Sequence, residues 1–267
     1  MSDIVQPAQA AQAVNEERRR RWRQAAIYAA LALVTFVMVF PILWMISVSL
    51  KPTTETFSLP PRLLPETFHW DGYAKVLTDP KFRSFLINSY VVGLAVTALS
   101  LVIGTLAAFG FSRYRFFGDR VAKLFVITTQ MVPTITLLIP YFGVIVFLGL
   151  YDTLWGLILT YLTFALPYSI VMMNGYLDTI PKDFDEAATI DGCTPLGVLV
   201  RVLLPVALPG IISTAVYTFL LAWNEFLFAL ALTRSMDMRT VPVGISMMVG
   251  EFGLKWDEMM AFSVIGS

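Results

Sequence analysis

Five long uncharged runs constrain this chain of 267 residues more than any other feature: residues 24–50, 84–112, 124–151, 153–177 and 202–224, the last continuing past Glu225 to Thr233. A helix of about 20 apolar residues crosses the ~30 Å hydrocarbon core of a bilayer. Extended or irregular backbone facing lipid would leave its N–H and C=O groups without partners. Each run is therefore predicted to be a membrane-crossing helix, and the fold class to be an all-α, polytopic helical bundle. The apolar run 259–267 begins where a sixth helix is expected and covers about half a crossing. The expectation is about six transmembrane helices, the last incomplete in this chain. Residues 241–250 are apolar but too short to cross, and are expected to form a re-entrant or substrate-side loop.

Composition supports the membrane reading: 14% of residues are charged, against about 25% in soluble domains. Formal net charge is +0, which gives no global basic field for nucleic acid. Cys193 is the only cysteine, so neither an internal disulfide nor a cysteine-based metal site can form within the chain. His69 is the only histidine and is expected at the surface.

Orientation follows from basic residues beside the spans, because short cytoplasmic flanks retain Lys and Arg. Arg18, Arg19, Arg20, Arg21 and Arg23 precede the first run, and Arg113, Arg115, Arg120 and Lys123 follow the second. The N-terminus is expected inside, with residues 1–23 a cytoplasmic tail whose Ala- and Gln-rich part, 1–15, is disordered. Residues 24–267 then form the membrane domain, with 51–83 outside and 178–205 inside.

Polar residues within the runs are few. Glu225 is the ionisable one, and a charge at membrane depth is costly enough to suggest function. It lies about 13 Å of helix from Arg234, and two roles stay open: a pathway contact together with Trp223 and Asn224, or interhelical pairing. Asn88, Ser89, Gln130 and Asn174 are further candidates for pathway contacts or interhelical hydrogen bonds. Pro133, Pro140 and Pro167 predict kinks, and Gly93, Gly104 and Gly110 predict close helix packing.

Residues 186–205, EAATIDGCTPLGVLVRVLLP, form a polar island between apolar runs. They read as helix, break, helix. Pro181 suits a first helical turn, while Asp183, Asp185 and Glu186 complement its positive end. Gly192 is placed to end it left-handed, and Thr194-Pro195 restarts a helix. Ala187 and Ala188 keep a face small enough for another protein to approach, with Phe184 one turn earlier as an anchor.

Glu186-Ala187-Ala188, three residues, Gly192, nine residues and then Val202-x-Leu204-Pro205 resemble the "EAA loop" of permease subunits in binding-protein-dependent ABC importers. The one departure is Val202 in place of isoleucine. Further landmarks resemble the carbohydrate branch of that family, and the smaller permease of maltose-type importers above all. They are Phe40-Pro41, Ser49-Leu50-Lys51, Ile87-Asn88-Ser89, Leu148-Gly149-Leu150 and Ala222-Trp223-Asn224-Glu225-Phe226. The resemblance implies the type I importer permease fold in a bacterial or archaeal cytoplasmic membrane. It implies a second related permease, a pair of cytoplasmic ABC ATPases and an extracytoplasmic solute-binding protein as partners, with a sugar as substrate. It also implies a coupling helix at 183–191, where Phe184, Glu186, Ala187, Ala188, Asp191 and Gly192 meet the ATPase.

No GxxxxGK[ST] loop occurs, so this chain is expected to be non-catalytic and to bind no cofactor, leaving ATP and Mg to the partner ATPase. A stand-alone secondary transporter is the alternative. Such proteins ordinarily need ionisable residues near the midplane and internal repeats, neither of which is visible here. No paired carboxylates or Ser/His pair within the runs suggest a membrane enzyme.

Overall fold

The computed structural model describes residues 5–56, 58–249 and 256–267, with side chains described from residue 17 onward. The described residues are helical with no strand among them. They divide into two compact units, one up to Tyr73 with Trp256–Ile265 and Ser267, the other Ala74–Lys255 with Gly266.

In the first unit, α1 (Val5–Ser49) is a continuous helix that includes most of the segment expected to be a disordered tail; residues 1–4 lie outside the described residues. The correction has a simple cause: the Ala-, Gln-, Glu- and Arg-rich stretch consists of good helix formers, and elongating an existing helix is far easier than nucleating one. The most apolar window of α1 has no buried residue. A turn at Leu50–Lys51 leads into α2 (Thr53–Thr56). Lys51 stands 5.0 Å over the Trp44 ring and donates to the Arg62 carbonyl. Ser49 Oγ and Tyr73 Oη are 2.7 Å apart, while His69 pairs with Asp71 at 2.8 Å. The next helix, α3, spans Asp71–Thr78.

The second unit is built on α4 (Pro80–Arg113) and α7 (Leu154–Asp178), its most extensive helix pair. Asp79 caps α4 by accepting from the Lys81 N–H at 3.0 Å, and Pro80 occupies a first-turn position that needs no N–H donor. Small residues let the helices close up: a Cβ at Gly104 would stand 2.8 Å from Ser169 Cβ, and one at Gly93 2.9 Å from the Phe219 ring. Gly110, expected to serve the same purpose, has nothing within 4 Å of where a Cβ would lie. Two apolar clusters lie toward opposite ends of α4. One joins Val92, Val96, Leu157, Tyr161 and Phe228; the other joins Ala108, Phe109, Met173, Leu177 and Leu203.

Two of the expected spans are sharply bent, one of them at Pro133, where a kink is expected. Run 124–151 divides into α5 (Asp119–Thr129), a 3₁₀ turn (Thr134–Leu137) and α6 (Leu138–Phe147), with a 94° bend. Pro133 explains the break, since it cannot donate a hydrogen bond and disfavours helical geometry at Val132. After α8 (Asp183–Ile190) come α9 (Pro195–Val198), a π turn (Leu199–Leu203) and α10 (Leu204–Val206). The chain then bends by 81° into α11 (Leu208–Trp223). Pro205 and Pro209, on either side of Ala207, each lack an N–H donor around that corner.

The expected continuation past Glu225 is also interrupted, by a turn at Asn224 before α12 (Leu227–Leu232). Among the described residues, three helices are long and apolar enough to cross, or up to five spans if each bent pair counts once. Instead of a loop at 241–250, α13 (Val241–Met248) is a short helix with Val241, Val243 and Gly244 buried; Gly250 lies outside the described residues. The last helix, α14, spans Trp256–Gly266.

Candidate functional site: a packed helix-turn-helix and its anchor

Residues 178–205 fold as the sequence pattern suggests, and their rigidity has identifiable sources. Asp183, Asp185 and Glu186 occupy the first turn of α8, at its positive end. The helix ends at Asp191, and Gly192 takes φ +82. A return bond from Cys193 N to Ala188 O, 2.9 Å, closes that end, and the Thr194 hydroxyl caps α9 by accepting from Gly197 N at 3.2 Å.

Arg113, the last residue of α4, fixes this unit to the bundle. Its Nε donates to Asp185 Oδ1 at 3.1 Å and stands 3.0 Å from Oδ2. One terminal nitrogen donates to Leu177 O at 3.0 Å and the other to Ile180 O at 3.1 Å. Those two carbonyls end α7 and enter the turn before α8, so one guanidinium fastens three successive parts of the chain. A fork of fixed donors suits arginine and not lysine. Beneath it Ile180, Ala188, Val198 and Leu199 are buried together.

The six predicted contact residues separate cleanly by exposure. Phe184 is 46% exposed, and Glu186, Ala187, Asp191 and Gly192 are exposed beside it. Ala188 is 5% exposed, so its small side chain serves close packing within this chain. Ile190, which the sequence reading passed over, is 86% exposed and extends the apolar part of the outer face.

The pathway candidates do not form one cluster. Asn88 and Ser89 are buried: Asn88 Nδ2 donates to the carbonyls of Asp237 (2.7 Å) and Arg239 (2.9 Å), and Ser89 Oγ accepts from Val241 N at 2.8 Å. Both therefore hold the segment that leads into α13. The Glu225 carboxylate accepts from Phe228 N (2.9 Å) and Ala229 N (3.0 Å), which caps α12 and accounts for a charge at that depth. Trp223 packs on Tyr90 and Phe219, with ring centroids 4.8 and 5.4 Å away, and Asn224 is exposed next to it. Of the weaker candidates, Gln130 ends α5, and Asn174 donates to Asp178 at 2.8 Å.

On the far side of the unit, Asp152 adopts φ +60 and ties two loops together. Its carboxylate accepts from Arg234 N (2.7 Å), Ser235 N (2.9 Å) and the Ser235 hydroxyl. Partial burial alone would raise its pKa. The Ser235 hydroxyl, the two backbone N–H groups and the Arg239 charge outweigh burial and hold it below the ordinary carboxylate value. Sequence reasoning missed both Asp152 and the Arg113–Asp185 pair, since each joins residues far apart in the chain. Among the described residues, no group of three or more His, Cys, Asp or Glu is placed to hold a metal.

The architecture is that of a polytopic helical membrane protein carrying a packed helix-turn-helix with an exposed face between two apolar segments. The chain belongs to the family described as binding-protein-dependent transport system inner membrane component, whose model matches residues 100–266. It is 38% identical to the trehalose transport system permease protein SugB of Mycobacterium tuberculosis over 85% of this chain and 83% of that protein. It is 37% identical to the trehalose/maltose transport system permease protein MalG of Thermococcus litoralis, over 88% of this chain and 85% of that one. Its fold is similar to that of a chain in the crystal structure of a bacterial ABC transporter that imports the acidic polysaccharide alginate. The TM-score is 0.80 and the identity 22%, across 93% of this chain and 92% of that one.

Proposed function

We propose that this chain is one of two related permease subunits of an ATP-driven, binding-protein-dependent importer for a sugar, and that α8 is its coupling helix. The observation that carries the reading is the α8 unit itself: clamped by Arg113, packed on Ala188, and exposed at Phe184, Glu186, Ala187, Asp191 and Gly192. A firmly seated element with one free face transmits a push, whereas a flexible loop would absorb it. Relatives named for trehalose and maltose support a sugar as cargo.

In this reading a pair of cytoplasmic ATPases receives α8, binds ATP and Mg, and performs the hydrolysis. A second permease completes the pathway. An extracytoplasmic binding protein delivers the sugar. The chain spans the cytoplasmic membrane of a bacterium or archaeon with its N-terminus and residues 178–205 inside, as the flanking arginines indicate. When the ATPases close, α8 moves with them and Arg113 carries that motion into α4 and α7. The aromatic patch of Tyr90, Phe219 and Trp223, with Asn224 beside it, is the surface best suited to a sugar ring in the pathway, combining flat apolar faces with a polar edge.

Reconstitution of the complex with its binding protein in liposomes tests the function. Uptake of labelled trehalose or maltose should require ATP inside and binding protein outside. Orientation is read separately by a cysteine at Ile190, with Cys193 replaced by serine. It should resist an impermeant maleimide in intact cells and react after permeabilisation. Sugar uptake driven by an ion gradient without the ATPases would overturn the reading.

A further inference from the structure

The turn between α4 and α5 and the end of α7 border an open cavity of about 1190 Å³. Besides Arg113, four cations line it: Arg115, Arg120, Lys123 and Lys182. None of them is in an ion pair with a carboxylate of the described residues. The acids on the same wall are already engaged. Asp178 accepts from Ser112 Oγ at 2.6 Å and Asn174 Nδ2 at 2.8 Å, and Asp119 accepts from Arg120 N at 2.5 Å. Arg113, also in the lining, is committed to Asp185. Those hydrogen bonds hold the two acids away from the four cations without cancelling their charge, so the cavity keeps a net positive field: four cations against Asp119 and Asp178.

Its apolar part is equally distinctive. Phe117 is fully exposed at the turn, and Val121 and Phe125 are exposed along α5. The cavity lies where two membrane-length helices end, α4 at Arg113 and α7 at Asp178. A soluble anion would have no use for that apolar wall, whereas a phospholipid brings a phosphate for the cations and acyl chains for the wall.

We propose that this cavity binds an anionic phospholipid, its phosphate held by Arg115, Arg120, Lys123 and Lys182 and its chains lying along Phe117, Val121 and Phe125. The inference does not depend on what the chain transports. Lipid seated there would brace the α4–α5 turn against the end of α7, next to the Arg113 anchor.

Native mass spectrometry of the intact complex, released from nanodiscs holding equal amounts of phosphatidylglycerol and phosphatidylcholine, tests this directly. The wild type should retain phosphatidylglycerol preferentially. Arg115→Gln/Arg120→Gln/Lys123→Gln should lower the ratio of the two lipids by about fivefold for each charge removed. Removing the same charge from the juxtamembrane arm, as Arg18→Gln/Arg19→Gln/Arg20→Gln, should lower the ratio clearly less, because that arm draws anionic lipid only diffusely. Where the triple variant does not assemble, Lys123→Gln alone carries the comparison. A large excess of inorganic phosphate should not strip the lipid. An unchanged ratio in the cavity variants, an equal fall in the N-terminal control, or displacement by phosphate would each overturn the proposal.

Discussion

Arg113 and Asp185 stand 72 positions apart in the chain, yet Arg113 Nε lies 3.0 and 3.1 Å from the two carboxylate oxygens of Asp185. Their side chains are 7% and 21% exposed, so the pair is largely sheltered from water and its loss leaves a charge poorly compensated. Arg113→Ala should destabilise the α7–α8 junction by about 3 kcal/mol. Arg113→Lys should recover little of it, since one ammonium cannot serve Asp185, Leu177 O and Ile180 O together. Thermal unfolding of the purified complex followed by intrinsic fluorescence gives the stability. ATPase stimulation by the binding protein should fall in the same order, Ala below Lys below wild type.

Gly192 supplies a different kind of test, because its φ of +82 is left-handed and a Cβ there would meet nothing within 4 Å. The cost of substitution is then backbone strain alone, about 1–2 kcal/mol for an ordinary residue and more for a β-branched one. Gly192→Asn should retain most coupled activity, Gly192→Ala less and Gly192→Val least. Equal activity across the series would remove the left-handed cap from the account.

Two glycines on α4 make an internally controlled pair. Gly104 faces Ser169 so closely that any side chain must push α4 and α7 apart, whereas Gly110 has open space. Gly104→Val should prevent a stable complex from being recovered. Gly110→Ala should be neutral or stabilise the helix by up to about 1 kcal/mol. The yield of monodisperse complex after size exclusion distinguishes them.

Much of this was legible in the sequence. The apolar runs gave the helical class, and the spacing from Glu186 to Pro205 gave a helix, a glycine stop and a second helix, as observed. Pro133 marked one break, whereas Pro140 and Pro167 lie inside α6 and α7, and no proline gave bends of 94° and 81°, which depend on what each half packs against. Glu225 was visible as a costly charge. Its role as a cap was hidden, because that role exists only once the helix has broken at Asn224. Arg113 appeared as one of four basic residues, and nothing local marks it as the one that reaches Asp185. Long-range partners are set by how helices pack, and a single sequence does not display that.

Asp152 predicts a pH dependence whose sign follows from its lowered pKa. A carboxyl held below its ordinary value of 3.8 contributes stability that is complete above that value and is lost as pH falls through the lowered one. Asp152→Ala should therefore be less stable than wild type at neutral pH, and the difference should shrink only in acid below about pH 4. Ser235→Ala should show a smaller deficit with the same dependence. Thermal midpoints of the three proteins between neutral and acid pH provide the check.

The claim that α8 docks on an ATPase is tested most directly by cysteine cross-linking within the assembled complex. With Cys193 replaced by serine, single cysteines go in at Phe184, Ala187, Ala188 and Asp191. A short maleimide–benzophenone reagent, which needs no thiol on the partner, should on photolysis join positions 184, 187 and 191 to the ATPase subunit, while the buried position 188 should not react. If none of the three exposed positions links to the ATPase in a complex that still hydrolyses ATP in response to binding protein, α8 is not the coupling element and the account is wrong at its centre.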